Sequence, residues 1–107
     1  MNKEEYLLTC VAEECAEIAK AACKALRFGL DDCAPGTTTT NAEHIKGEVR
    51  DLMAVIGMLQ DMGSLPKQTL EENLRAAIAK REKVERFMQY SCERGCLTTQ
   101  IEDGGSK

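Results

Sequence analysis

Residues 3–28 read KEEYLLTCVAEECAEIAKAACKALRF. Leu8, Val11, Cys15, Ile18, Ala22 and Leu26 recur at three- and four-residue steps, the period of a helix with one apolar face, so the stretch predicts a helix from Lys3 to Phe28. Gly29 follows and is free to take a positive φ, which stops the helix. Elsewhere the chain has no period-two run of β-branched residues and no Asn-Gly or Asp-Gly turn between apolar stretches, so it contains no strand signal. The expected fold is all-α: a short bundle of three main helices.

The stretch from Leu30 to Asn41, LDDCAPGTTTTN, carries Pro35, Gly36 and four threonines and reads as a loop. It is long for a small helical domain, and loops of that length tend to bind something or move. Thr40 at an N-cap with Glu43 three residues on forms a capping box, which starts a second helix running to about Met62. Gly63-Ser64-Leu65-Pro66 is the next break. Thr69 and Glu72 form a further box, with Pro66 as an alternative start. The third helix carries Leu70, Leu74, Ala77, Ile78, Val84, Phe87 and Met88 and ends near Cys92. Residues 1–94 are therefore expected to form one domain, and 95–107 a flexible C-terminal tail with little to bury.

The chain has 107 residues, the size of one near-minimal domain. It is 43% hydrophobic and 30% charged, but only 4% aromatic and without Trp, so its core must be built from aliphatic residues, Met and Cys. Fourteen Lys+Arg stand against 18 Asp+Glu, a net charge of −4, which argues against polymeric nucleic acid because neutralising a phosphate backbone needs a basic excess. A single nucleotide remains compatible if a metal ion bridges acids to phosphate. No apolar run approaches membrane-spanning length and Met1–Tyr6 show no signal-peptide pattern, so a cytoplasmic location is expected. The six cysteines lack the paired CxxC spacing of a zinc site and read as reduced, small apolar residues. The alternative is a zinc site at Cys92 and Cys96, helped by Cys33 and His44.

Projected at about 100° per residue, the first helix centres its apolar arc between Ile18 and Leu8. Glu14 lies just beside that arc, next to Ala21, and Glu17 one step farther round. On the second helix the arc runs through Ile45, Val49, Leu52, Val55, Ile56 and Leu59, and Glu48 projects between Val55 and Leu59. A carboxylate inside an apolar stripe must be paired, protonated or metal-bound. Asp51 and His44 flank it at i+3 and i−4. Each helix thus offers two carboxylates one turn apart. Packed antiparallel, the helices make a cage of Glu14, Glu17, Glu48 and Asp51, whose hard oxygens suit Mg²⁺ or Mn²⁺. The competing reading is that these acids are ordinary solvated surface charges.

The run Glu13-Glu14-Cys15-Ala16-Glu17, followed by Glu48-Val49-Arg50-Asp51, resembles the EExxE and ExxD signature of the MazG-like, all-α nucleoside triphosphate pyrophosphohydrolases, a group that includes dimeric dUTPases. The stretch Lys24 to Asp32, KALRFGLDD, also resembles short members of that group. The resemblance is strong over roughly residues 10–62 and softer to about residue 90. It implies a bundle completed by dimerisation, sometimes as a dimer of dimers, and Mg²⁺-dependent cleavage of an NTP to NMP and pyrophosphate. By position, Glu14, Glu17, Glu48 and Asp51 become the metal ligands. Glu13, which projects outward, takes a supporting or water-activating role. The gap between the two motifs is slightly longer than is common in the group, because of the threonine loop.

Hydrolysis between the α- and β-phosphates needs neutralised charge and a water aligned on phosphorus, which acids and a metal supply. Basic side chains must hold the phosphates: Lys20, Lys24 and Arg27 follow the first motif, and Lys80, Arg81 and Lys83 cluster on the third helix, where they could serve a neighbouring subunit. Phe28 and His44 are the candidates for contact with the base. The expected function is a cytoplasmic, homodimeric, Mg²⁺-dependent NTP or dNTP pyrophosphohydrolase of nucleotide metabolism. The alternatives are a helical module that sequesters a nucleotide without turnover and a purely structural helical dimer.

Overall fold

A computed structural model of the chain describes residues 1–98. These residues are all-α. Helices α1 (Lys3–Phe28), α2 (Asn41–Asp61) and α3 (Leu70–Glu93) follow in order, and the one extended pairing among the described residues is an isolated bridge between Cys33 and Thr40. No helix among them is long and apolar enough to cross a membrane. Most of the expected C-terminal tail, residues 99–107, lies outside the described residues.

Each helix starts where local chemistry satisfies its free N–H groups. Asn2, Thr40 and Thr69 cap α1, α2 and α3, each accepting from the backbone N–H three residues on, while Glu5, Glu43 and Glu72 reach back to the cap residue's own N–H. Pro66 does not start α3; its carbonyl accepts from Gln60 Nε2 at 3.2 Å. At the end of α2, Gly63 sits at φ +82°, and the Gly63 and Ser64 N–H groups donate to the Gln60 and Leu59 carbonyls at 3.0 and 2.9 Å. This is a Schellman closure, which requires the left-handed conformation that glycine adopts without strain. The Gly95 and Cys96 N–H groups close α3 on the Cys92 and Ser91 carbonyls in the same pattern.

The chain divides into two compact units, Met1–Lys67 and a second beginning at Gln68. In the first, α1 and α2 pack as an antiparallel hairpin. Asn41, at the start of α2, donates through Nδ2 to the Gly29 carbonyl just past α1 at 2.8 Å, while Lys3 and Met62 line one surface depression at the opposite end. Leu7, Ala21 and Leu59 are its buried apolar residues, Leu59 completely so. The second unit contains α3, which buries none of its residues; Leu70, Ile78 and Phe87 are exposed along it.

The face that α1 turns to α2 differs from the one its hydrophobicity suggests. Leu7 and Ala21 are buried and Val11, Ile18 and Ala25 half-buried, whereas Leu8, Cys15, Ala22 and Leu26 are exposed, Leu26 at 86%. The small residues Ala21 and Ala25 are buried and half-buried, so the side of α1 that packs is not the one with the greatest summed apolarity. The rotation carries Glu14 onto the packed face. On α2 the expected arc is turned inward except for Val49, which is exposed.

Candidate metal centre

Glu14 from α1 meets Glu48 and Asp51 from α2, each offering one carboxylate oxygen, and these three oxygens lie within 4.8 Å of one another. Glu48 is held by its place in the apolar arc of α2, with its side chain 17% exposed. Asp51, one turn on, is exposed, and Glu14 is half-buried. Glu14 Oε2 is shielded from solvent and has no hydrogen-bond partner.

The three carboxylates crowd one another, and Glu14 shows the strain in its protonation. Burial pushes the Glu14 carboxyl above its ordinary range, and the neighbouring Glu48 carboxyl pushes it further, because the two can share a hydrogen bond only when one of them is protonated and because their charges repel. The charges of Asp51 and Glu17 act in the same direction. Among the described residues, the basic group that reaches the cluster is His44, whose Nε2 lies 3.2 Å from Glu48 Oε1. The donor set is all carboxylate, with one buried oxygen lacking a partner. That oxygen donor set is of the kind a hard divalent cation such as Mg²⁺ or Mn²⁺ takes.

The remaining expected site residues divide between those near the cluster and those elsewhere. Glu17 is exposed and outside the trio, although its charge reaches Glu14. Glu13 and Lys20 are exposed on α1. Arg27 stacks over the Phe28 ring, 5.4 Å from its centroid, so these two residues engage each other. Lys80 and Lys83 are exposed on α3, in the second unit. The cysteines are free thiols.

Lys24 and His44 line a cavity of about 270 Å³ together with Ala34, Thr37, Thr39 and Asn41. Sequence reasoning missed Asn41, which is only 4% exposed. The available signal was its place directly after the Thr40 cap, at the foot of the threonine loop. The loop is tied down there: the Asn41 and Ala42 N–H groups donate to the Asp32 and Leu30 carbonyls, both at 2.9 Å.

Comparison with protein-family models, with curated proteins and with solved structures gave no match.

Proposed function

We propose that the chain is a divalent-metal-dependent nucleoside triphosphate pyrophosphohydrolase, which uses Mg²⁺ or Mn²⁺ and converts an NTP or dNTP to the monophosphate and pyrophosphate. One observation carries the reading: carboxylate oxygens of Glu14, Glu48 and Asp51 lie within 4.8 Å of one another, and Glu14 carries a buried oxygen without a partner. The EExxE and ExxD motifs to which these acids belong resemble the MazG-like signature, which supports the same activity.

Glu14, Glu48 and Asp51 would hold the cation, with Glu17 available at the rim. A bound cation offsets phosphate charge and polarises a phosphoryl oxygen. Glu13, exposed on α1 and adjoining Glu14 in sequence, would take the proton of a water that attacks the α-phosphorus; the bond to the bridging oxygen would break and pyrophosphate would depart with that oxygen's electrons. His44, joined to Glu48, orients that carboxylate. Lys24 supplies positive charge on the same hairpin. We further propose a homodimer, supported by the exposed apolar residues Leu8, Cys15, Ala22 and Leu26 on α1 and by the small core of the hairpin.

The test is to incubate the protein with each NTP and dNTP in the presence of Mg²⁺ and to assay monophosphate and pyrophosphate. Release of both in equal amounts is expected. A nucleotide that raises the melting temperature without being hydrolysed identifies a sequestering module instead.

A further inference from the structure

We propose that the cavity lined by Lys24, Ala34, Thr37, Thr39, Asn41 and His44 is a nucleobase subsite, in which Asn41 and Thr39 read the edge of the ring. The identity of the ligand rests on the pyrophosphohydrolase reading; the cavity itself does not. Its volume of about 270 Å³ accommodates a single base with part of its sugar. It adjoins the acids: His44 contributes to its wall and lies one helical turn from Glu48, about 6 Å along α2. A nucleotide with its phosphates at the acids can therefore extend its base toward the loop.

The chemistry of the wall suits a base better than a phosphate. More of its lining surface is apolar than polar, which suits a flat ring. Asn41 is 96% buried, and its Nδ2 is committed to the Gly29 carbonyl at 2.8 Å, which fixes the amide plane and leaves Oδ1 as an oriented acceptor. Helix N-termini often bind phosphate through free N–H groups, but here the first four of α2 are engaged. Those of Asn41, Ala42, Glu43 and His44 donate to the Asp32 carbonyl, the Leu30 carbonyl, Thr40 Oγ1 and the Thr40 carbonyl. A base with a ring N–H or amino group toward Asn41 and an acceptor toward Thr39 or Lys24 satisfies the polar groups that remain. Thr37 is the less available hydroxyl, since it already donates to the Ala34 carbonyl at 2.8 Å.

The experiment uses thymidine, deoxycytidine, deoxyadenosine and deoxyguanosine as phosphate-free probes, titrated into the full chain and followed by amide chemical shifts. The expected result is that at least one nucleoside shifts the resonances of Thr37, Thr39 and Asn41. Thr39→Val and the cavity-filling Ala34→Phe should each weaken it about tenfold, a factor typical of one lost polar contact or a narrowed pocket. In parallel, the spread of kcat/KM across the four dNTPs should narrow in Thr39→Val. Nucleosides that leave the loop resonances unmoved, or bind both variants as they bind wild type, overturn the subsite. Pyrophosphate release with base selectivity unchanged in both variants overturns it too, while sparing the hydrolase reading. Nucleoside binding that the variants weaken, in a protein that hydrolyses no nucleotide, upholds the subsite and removes the hydrolase reading.

Discussion

His44 Nε2 lies 3.2 Å from Glu48 Oε1, one turn apart on α2, so a single side chain links the carboxylate cluster to the cavity under the threonine loop. The histidine is partly exposed, and an exposed pair of this kind is worth about 0–1 kcal/mol to stability. His44→Ala should therefore leave the melting temperature nearly unchanged while lowering kcat/KM about tenfold, because Glu48 loses the group that orients it. Thermal unfolding and steady-state kinetics on one preparation check both halves. A large loss of stability with intact kinetics would make His44 structural.

Glu14 gives a metal prediction with a definite sign. Its folded pKa is raised, so its contribution to stability is present at pH below the unfolded value and lost as pH rises through the folded one. Once ionised, the crowded carboxylates of the metal-free protein carry an unfavourable charge that Mg²⁺ should relieve. Mg²⁺ is thus expected to raise the melting temperature at pH 7 and to have progressively less effect as the pH falls and Glu14 protonates. Glu14→Gln should raise the melting temperature of the metal-free protein and abolish its response to Mg²⁺. Calorimetry with and without chelator measures both.

The helix caps act in the opposite direction. Hydrogen bonds from the Thr40 backbone and hydroxyl hold the Glu43 carboxyl below its ordinary range, and Thr69 does the same for Glu72. A depressed carboxyl contributes stability above its unfolded pKa of about 4.3, and that contribution disappears as pH falls through the lower folded value. Thr40→Ala should cost about 1 kcal/mol at pH 7 and less in acid, where Glu43 no longer reciprocates. Urea denaturation at neutral and acidic pH gives the comparison.

The proposed homodimer has its candidate face on α1. Leu26 is 86% exposed and Leu8, Cys15 and Ala22 share its side of the helix. If a second copy covers this face, sedimentation should give a dimer at micromolar concentration, and Leu26→Glu should weaken it at least about tenfold, given roughly 1.5–3 kcal/mol for burying a leucine. A wild-type monomer at all concentrations contradicts the proposed homodimer.

Much of the fold was legible in the sequence because its signals are local. Thr40 with Glu43 and Thr69 with Glu72 mark helix starts through bonds made within four residues, and Gly29 and Gly63 mark ends in the same way. Glu48 was legible as a site residue because the apolar arc of α2 is unambiguous around it. The rotation of α1 was not: Leu8 and Leu26 outweigh Ala21 and Ala25 in apolarity, yet the alanines are the residues turned inward. That nonlocal choice put Glu14 on the packed face and left its Oε2 without a partner. Asn41 was illegible for a similar reason. Its burial goes with the bonds it makes to the Gly29 and Asp32 carbonyls, twelve and nine residues back, which no periodicity reports.

If the meeting of Glu14, Glu48 and Asp51 serves hydrolysis, one dNTP with Mg²⁺ followed by ³¹P NMR should give monophosphate and pyrophosphate with the wild-type protein. Glu48→Gln should lose about a hundredfold or more of that turnover, consistent with removing a metal ligand worth several kcal/mol in the transition state, with the helical circular-dichroism signal unchanged. Equal turnover by the two proteins, or no turnover of any nucleotide by wild type, contradicts that role.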